Sequence, residues 1–121
     1  MKINESAENY LETILVIKNK KGYVRSVDIA KELSITKPSV SVAMKNLREN
    51  EYITVNNDGD IELSEKGKSV ALRIYDRHIT IAKALMLLGV DEDTALEDSC
   101  KIEHDISDAS FEKLKEFIQN K

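Results

Sequence analysis

The chain has 121 residues, one cysteine and a net charge of −4, and 41% of its residues are hydrophobic. This length suits one domain, or two small domains that share a helix. A single cysteine excludes an internal disulfide, no apolar run approaches the roughly 20 residues that cross a bilayer, and the N-terminus lacks the apolar core of a signal peptide. We therefore expect a cytoplasmic protein with no membrane partner.

Charge is distributed unevenly along the chain. Residues 1–76 contain 12 basic and 12 acidic residues, whereas residues 77–121 contain 6 and 10. A nucleic-acid surface would have to lie in the first part, with its basic residues segregated locally. A divalent cation would offset the acidic second part.

The first predicted helix begins near Asn4 or Ser6, either of which can cap it, and a glycine ends it. Apolar residues recur along it at helical spacing. Asn9 and Glu12 lie three positions apart beside that apolar stripe. Ser26 is predicted to cap a short second helix whose inward residues are Val27, Ala30 and Leu33.

A third helix is predicted to follow a tight connection, with Thr36 as its cap and Pro38 in its first turn, where a missing N–H costs nothing. Its inward positions are Val40, Ala43, Met44 and Leu47. Its outward face is small, polar and basic, without an acid before Glu49, and consists of Lys37, Ser39, Ser41, Val42 and Lys45. Such a face is either ordinary solvated surface or a surface for nucleic acid.

Two short β patterns, at residues 52–55 and 60–63, flank an Asp58-Gly59 turn signal and predict a hairpin. Two helices at a tight turn followed by a hairpin form the winged helix-turn-helix plan, in which the second helix enters the major groove. We expect double-stranded DNA as a partner. Candidate phosphate contacts are Arg25, Lys37 and Lys45, whereas Ser39 and Ser41 reach phosphate or base edges and Val42 meets a thymine methyl. Thr36 and Pro38, at the start of the helix, are predicted to belong to the same DNA-binding surface.

Ser64 is predicted to cap a long helix that runs to about Leu88 and has two apolar stripes. One stripe covers the helix's own domain and consists of Val70, Ile74, Ile81, Leu85 and Leu88. The other is predicted to meet a second copy of the chain and consists of Leu72, Tyr75, Ile79, Ala82 and Met86. His78 lies along the first stripe, where a histidine is either a hydrogen-bonded core residue or a ligand.

The stretch Cys100-Lys101-Ile102-Glu103-His104 is predicted to lie on the next helix. Residues three and four apart share a helix face, so the sulfur, the carboxylate and the imidazole would point one way. A first-row transition ion accepts that mixture of donors. A surface helix with an incidental cysteine and a solvated Glu-His pair explains the same residues, and both interpretations stay open here. A last helix is expected after Ser107 or Asp108.

The predicted fold class is therefore mainly α with a small β-hairpin. We expect a winged helix-turn-helix DNA-binding domain in residues 1–63 and an all-helical metal-binding and dimerisation domain in residues 64–121.

Taken in order, these features resemble the iron- and manganese-dependent repressors of the diphtheria-toxin-repressor and manganese-transport-regulator family. The resemblance covers essentially the whole chain and is carried by residues 8–14, 36–41, 63–67, 76–78, 88–91 and 102–107. It implies a homodimer that binds palindromic operator DNA in the presence of Fe²⁺ or Mn²⁺ and represses metal-uptake genes. It also implies a short member without the SH3-like domain that others carry, and no small-molecule substrate.

Carried over by position, the resemblance implies the metal ligands Asn9, Glu12, His78, Cys100, Glu103 and His104. Asn9 stands where the family usually has Asp or Met, and it offers only a neutral carbonyl oxygen. Cys100 is the iron-type choice, whereas Glu12 resembles the manganese type. Thiolate softness favours Fe²⁺, Co²⁺, Ni²⁺ or Zn²⁺ over Mn²⁺, and the last three ions could substitute. We expect one well-defined site per subunit.

The expected mechanism is that one shared ion fastens the DNA-binding half to the dimerising half and sets the spacing of the two recognition helices. One alternative is a winged-helix redox sensor that acts through Cys100 without metal. A second is a metal-storage module with no DNA role. An enzyme is not expected, because no nucleophile-base pair or phosphate loop is visible in the sequence.

Overall fold

A computed structural model describes residues 4–120. These residues form α1 (Glu5–Lys21), α2 (Ser26–Leu33), α3 (Lys37–Glu49), β1 (Ile53–Val55), β2 (Ile61–Leu63), α4 (Glu65–Leu87), α5 (Glu92–Ile102) and α6 (Asp108–Gln119). The predicted fold class, mainly α with a small hairpin, is confirmed. Within the described range, none of the helices has the length and apolarity to span a bilayer.

The described residues divide into two compact units, and the boundary lies between Leu72 and Arg73. In the first unit, apolar residues of α1, α2, α3 and the hairpin build the core, and α4 contributes Ala71. The inward positions predicted for α3 are confirmed, since Val40, Met44 and Leu47 are buried and Ala43 packs against them. In the second unit the buried apolar residues include Ile74, Ile81, Ala95 and Phe111.

Local capping explains where most helices begin. Asn4 Oδ1 accepts the Ala7 N–H at 2.8 Å, so Asn4 rather than Ser6 caps α1. Thr36 caps α3 as predicted, since its hydroxyl oxygen accepts the Ser39 N–H at 3.3 Å. Side-chain oxygens also cap the last two helices, and the capping residues are Asp91 and Ser107.

The second helix differs from the prediction in its cap and in its inward face. Ser26 is its first helical residue and not its cap; the Asp28 carboxylate instead reaches back to accept the Arg25 N–H at 2.9 Å. Val27 is exposed, whereas Ile29 is fully buried beside Ala30. Two positions along a helix correspond to a rotation of about 200°, so burying Ile29 turns Val27 to solvent.

The hairpin, here called the wing (residues 53–63), is antiparallel with Ile53 opposite Leu63. Each strand is one residue shorter than predicted, because Tyr52 and Asp60 have other partners. The Asp60 carboxylate accepts the Val24 N–H at 2.9 Å and pairs with Lys18 Nζ at 3.0 Å. The Val24 hydrogen bond, followed by Lys18, lowers the pKa of Asp60. The base of the wing is therefore tied to the end of α1 and to the residues that follow it.

Candidate metal centre and nucleic-acid interface

Three candidate ligands converge in the second unit. His78 lies on α4, Cys100 on the last turn of α5, and Glu103 is the residue that ends α5. Their ligand atoms all lie within 4.8 Å of one another. Glu103 Oε2 is 2.8 Å and Cys100 Sγ is 3.8 Å from His78 Nδ1. His78 is hydrogen-bonded, as expected of a core histidine, and it also lies beside two further donor residues, as expected of a ligand.

His104 reaches the cluster by a different route from the one predicted. The helix ends at Ile102, and the Asp105 N–H turns back to the Ile102 carbonyl at 3.0 Å. His104 therefore lies in a turn, and the expectation that it shares a helix face with Cys100 is wrong. The turn still brings its Nε2 within 3.4 Å of Glu103 Oε1.

The burial of Glu103 shows that the cluster suits a cation. Its side chain is fully buried, and its Oε1 has no hydrogen-bond partner in the part of the chain that the structure describes. His104 Nε2 lies at ion-pair distance from that atom, but not in hydrogen-bond geometry. Because a buried carboxylate is costly unless it is compensated, this oxygen is suited to coordination. The donors imidazole, sulfur and carboxylate together fit a divalent transition ion.

Ser99 is a member of the cluster that sequence reasoning missed. Its hydroxyl donates to the Leu96 carbonyl at 3.0 Å, so its oxygen accepts from His78 Nδ1, 2.8 Å away. No local signal in the sequence marks Ser99 as part of the site. Its buried hydroxyl orients the imidazole towards Cys100 and Glu103.

The cluster also controls the protonation of His78. Cys100, followed by Glu103, raises the pKa of His78 to about 10 in spite of partial burial. The imidazolium form is therefore favoured at neutral pH, with a proton on Nδ1. A cation that coordinates this nitrogen must displace that proton, so metal binding and protonation compete.

Asn9 and Glu12 lie in the first unit, both on α1 and three positions apart as predicted. Glu12 is buried and Asn9 is partly buried. Their assignment as metal ligands stays a prediction.

The predicted DNA face of α3 is at the surface. Each of its outward residues is exposed, namely Lys37, Ser39, Ser41, Val42 and Lys45. Thr36 and Pro38, which open the helix, are exposed as well, and the Thr36 hydroxyl donates to Ser39 Oγ at 2.9 Å. The arrangement leaves a cationic helix face free of carboxylates, which suits the phosphates and base edges of a major groove.

Arg25 is attached to the wing. Its Nε donates to the Asp58 carbonyl at 2.9 Å, and its guanidinium lies 4.9 Å from the centre of the Tyr23 ring. Arg25 is exposed, so a phosphate could reach its remaining N–H groups while the residue holds the turn of the wing.

The stripe predicted to meet a second copy is only partly at the surface. Leu72 is 48% exposed, and Tyr75 and Met86 are exposed too, whereas Ile79 is partly buried. Ala82 is 2% exposed, so its placement on an open face is wrong. The reason is that Ala82 lies one turn after His78, on the side of α4 that packs against α5.

A further apolar surface lies outside that stripe. Leu87, Leu88 and Phe117 are exposed, and they line a shallow groove between the end of α4 and α6 together with Ala84 and Leu114. We call this surface the α4–α6 patch. Exposed apolar clusters of this kind mark interaction sites.

Two family models match the chain. Residues 2–61 match the model described as "Iron dependent repressor, N-terminal DNA binding domain", and residues 64–121 match "Iron dependent repressor, metal binding and dimerisation domain".

Individual relatives give the same result. The chain is 39% identical over 119 residues to an HTH-type transcriptional regulator of Methanocaldococcus jannaschii, which covers 97% of this chain and 95% of that protein. It is 32% identical over 114 residues to the HTH-type transcriptional regulator MntR of Geobacillus thermodenitrificans, covering 94% and 81%. The structure of the manganese regulator SloR superposes with a TM-score of 0.83 and 27% identity over all of this chain and 56% of that one. This chain thus spans about half the length of SloR.

Proposed function

This chain belongs to the iron-dependent repressor family, and we propose that it is a transcriptional repressor that binds operator DNA as a homodimer when a divalent transition-metal ion is bound. Members of the family are transcriptional regulators and not enzymes. The observation that carries the proposal is the convergence of His78, Cys100 and the buried Glu103 carboxylate on one point. The comparisons give no support to a redox sensor acting through Cys100.

The proposed physiological ion is Fe²⁺ or Mn²⁺, with Zn²⁺, Co²⁺ or Ni²⁺ as substitutes. Cys100 supports Fe²⁺ over Mn²⁺, because a thiolate prefers the softer ions. The proposed ligands are His78, Cys100, Glu103 and His104. Asn9 and Glu12 are added on the resemblance alone.

The residues of the cluster have separate tasks in this proposal. When bound, the ion supplies the positive charge that a buried carboxylate and a thiolate require. In the metal-free chain Ser99 holds the His78 ring through Nδ1, the nitrogen that would give up its proton to the ion. Glu103 would offer the oxygen that lacks a hydrogen bond. The ion would thereby replace the His78 imidazolium as the positive charge that compensates the buried Glu103 carboxylate.

Residues 1–63 are proposed to bind the operator, and residues 64–121 to bind the metal and to dimerise. Metal occupancy would select the form of the homodimer in which the two α3 helices meet the half-sites of a palindrome, about 34–36 Å apart. The regulated genes are proposed to be genes of metal-ion homeostasis.

The test is a DNA-binding titration of the reduced protein. Duplexes of random sequence are first selected for binding in the presence of Fe²⁺ or Mn²⁺. Affinity for the selected duplex is then measured with Fe²⁺, Mn²⁺, Zn²⁺ or Co²⁺ and with a chelator. We expect the wild-type protein to bind at least tenfold more tightly with metal, which corresponds to a coupling free energy of about 1.4 kcal/mol.

A Glu103→Gln variant should lose this metal response, because the amide cannot provide an anionic ligand. Glu97→Gln, on the exposed surface of the same helix, is the matched control and should respond like the wild type. Equal binding of the selected duplex by the wild type with metal and with chelator would refute the proposal.

A further inference from the structure

Arg77, the residue before His78, is charged and yet 4% exposed. Its Nη1 donates to the Glu103 carbonyl at 3.0 Å and to the Ile106 carbonyl at 2.7 Å. Its guanidinium also lies 5.3 Å from the centre of the Phe111 ring. Burying a guanidinium costs free energy unless its N–H groups are hydrogen-bonded, so these contacts fix the position of residues 103–106 relative to α4.

The two carbonyls belong to the turn that carries Glu103 and His104. Glu103 ends α5 and Ile106 lies beyond it, so neither carbonyl can be bonded by an N–H group of that helix, and both need donors from elsewhere. Arg77 provides them from α4, with a planar fork whose N–H groups have fixed directions. Two adjacent residues of α4 therefore hold Glu103: Arg77 bonds its backbone carbonyl, and His78 contacts its side-chain carboxylate.

The ion pair of Arg77 contributes less than these carbonyl bonds. Arg77 Nη2 pairs with Asp108, but the Asp108 side chain is 85% exposed. Solvent screens a pair of this kind. The bonds to the Glu103 and Ile106 carbonyls are more enclosed, and they act directly on the turn.

We propose that Arg77 is a positioning residue of the metal centre, which holds the turn after α5 so that the Glu103 carboxylate stands at His78. This inference rests on the proposed function, since it concerns how the metal ligands are presented. Arg77 itself is a cation and does not bind the ion. Groups behind the ligands typically change metal affinity by roughly 10–100-fold when they are removed.

The test is a Co²⁺ titration of the reduced full-length chain, followed by absorption spectroscopy. The thiolate-to-cobalt charge-transfer band reports Cys100, and the intensity of the ligand-field bands reports the coordination number. The variants are Arg77→Met, which removes both carbonyl bonds, Arg77→Lys, which keeps the charge without the fork, and Asp108→Ala, which removes only the ion pair. Circular dichroism and the Tm of the metal-free proteins report the fold.

We expect Arg77→Met to bind Co²⁺ about tenfold or more weakly than the wild type, with altered ligand-field bands. Arg77→Lys should be intermediate, and Asp108→Ala should match the wild type. A residue that only stabilises the fold would lower the Tm and leave the Kd and the spectrum of the folded protein unchanged.

A folded Arg77→Met protein with the wild-type Kd and spectrum would overturn the positioning role. If Arg77→Met does not fold, the same comparison is made with Arg77→Lys, and wild-type values there would overturn it. A wild-type chain that shows no thiolate-to-cobalt band would instead remove the metal centre, and the positioning role with it.

Discussion

At the scale of single residues, the buried charge of Glu103 is compensated in part by the neighbouring His78. The carboxylate is fully buried, and the neighbouring imidazole is only partly buried and carries a proton at neutral pH. In the metal-free chain this ion pair, 2.8 Å long, offsets part of the cost of burying the carboxylate. Coordination would replace the proton on His78 by a cation of higher charge. Because the metal-free site is also partly compensated, it is suited to reversible metal binding.

Gly67 is a second position of interest, because the structure leaves no room there for a side-chain Cβ atom. It lies in the first turn of α4, and a Cβ there would stand 2.1 Å from the Tyr52 carbonyl oxygen. That oxygen accepts the Ser64 N–H at 3.0 Å and so cannot move away without breaking the bond.

We predict that Gly67→Ala destabilises the chain. The helix propensity of alanine contributes about 1 kcal/mol in its favour. Overpacking against backbone costs about 1–3 kcal/mol, and more where nothing can shift. Because the Tyr52 carbonyl oxygen cannot shift freely, the upper end of that cost applies, and the net loss in a denaturant titration should be about 2 kcal/mol or more. Ser69→Ala, at an exposed position of the same helix, should leave stability unchanged or slightly raised. A Gly67→Ala chain as stable as the wild type would show that the start of α4 can move.

At the scale of elements, α3 and the wing contribute differently to DNA binding. The outward face of α3 has cations and no carboxylate before Glu49, whereas the wing carries Asp58, Asp60 and Glu62 and no basic residue. Lys18 pairs with both Asp60 and Glu62, which leaves Asp58 at the turn beside Arg25. Electrostatic attraction to phosphate therefore has to come mainly from α3 and from Arg25.

We predict that Lys45→Ala weakens binding to all duplexes and lowers the slope of log Kd against log salt by about 0.9, the value for one lost phosphate contact. The measurement is a set of fluorescence-anisotropy titrations of the metal-loaded protein at several salt concentrations. Lys113→Ala on α6 removes an exposed lysine in the other unit and serves as the control. An unchanged slope for Lys45→Ala would place this residue outside the DNA interface.

At the scale of the whole molecule, the remaining question is which apolar surface meets the second copy. The predicted stripe retains Leu72, Tyr75 and Met86 at the surface, and the α4–α6 patch adds Leu87, Leu88 and Phe117. Leu88 is 80% exposed and adjoins Leu87 and Phe117 in one groove, and a contiguous apolar surface of this kind marks an interaction site. We propose that the α4–α6 patch forms the greater part of the interface.

We predict that Leu88→Glu gives a monomer at concentrations where the wild type is a dimer, because a carboxylate at an apolar interface is left without a partner. Leu72→Glu should weaken the dimer less. Sedimentation velocity measures the oligomeric state, and circular dichroism checks the fold, which an exposed leucine supports little. A monomeric Leu72→Glu beside a dimeric Leu88→Glu would return the interface to the predicted stripe.

Much of this molecule was predictable, because the signals act over three or four residues. Thr36 caps α3, Ser107 caps α6, and Asp58-Gly59 closes the wing, each through bonds within its own turn. The alternation of inward and outward positions on α3 follows in the same way from helical spacing. The predictions for Val27 and Ala82 were wrong for a different reason. The helix of Val27 is short and that of Ala82 has two apolar stripes, so the sequence pattern does not determine which side of either helix is buried.

The sequence by itself determined the order of the elements, the winged helix-turn-helix plan and the residue types available to a metal. Only the tertiary structure decided that α5 ends at Ile102, that Ser99 and Arg77 support the candidate ligands, and that Glu103 Oε1 is buried without a hydrogen bond. The physical reason is the distance along the chain. Caps and turns are settled by neighbours, whereas contacts across more than 20 residues, such as that of His78 with Glu103, depend on how two helices pack.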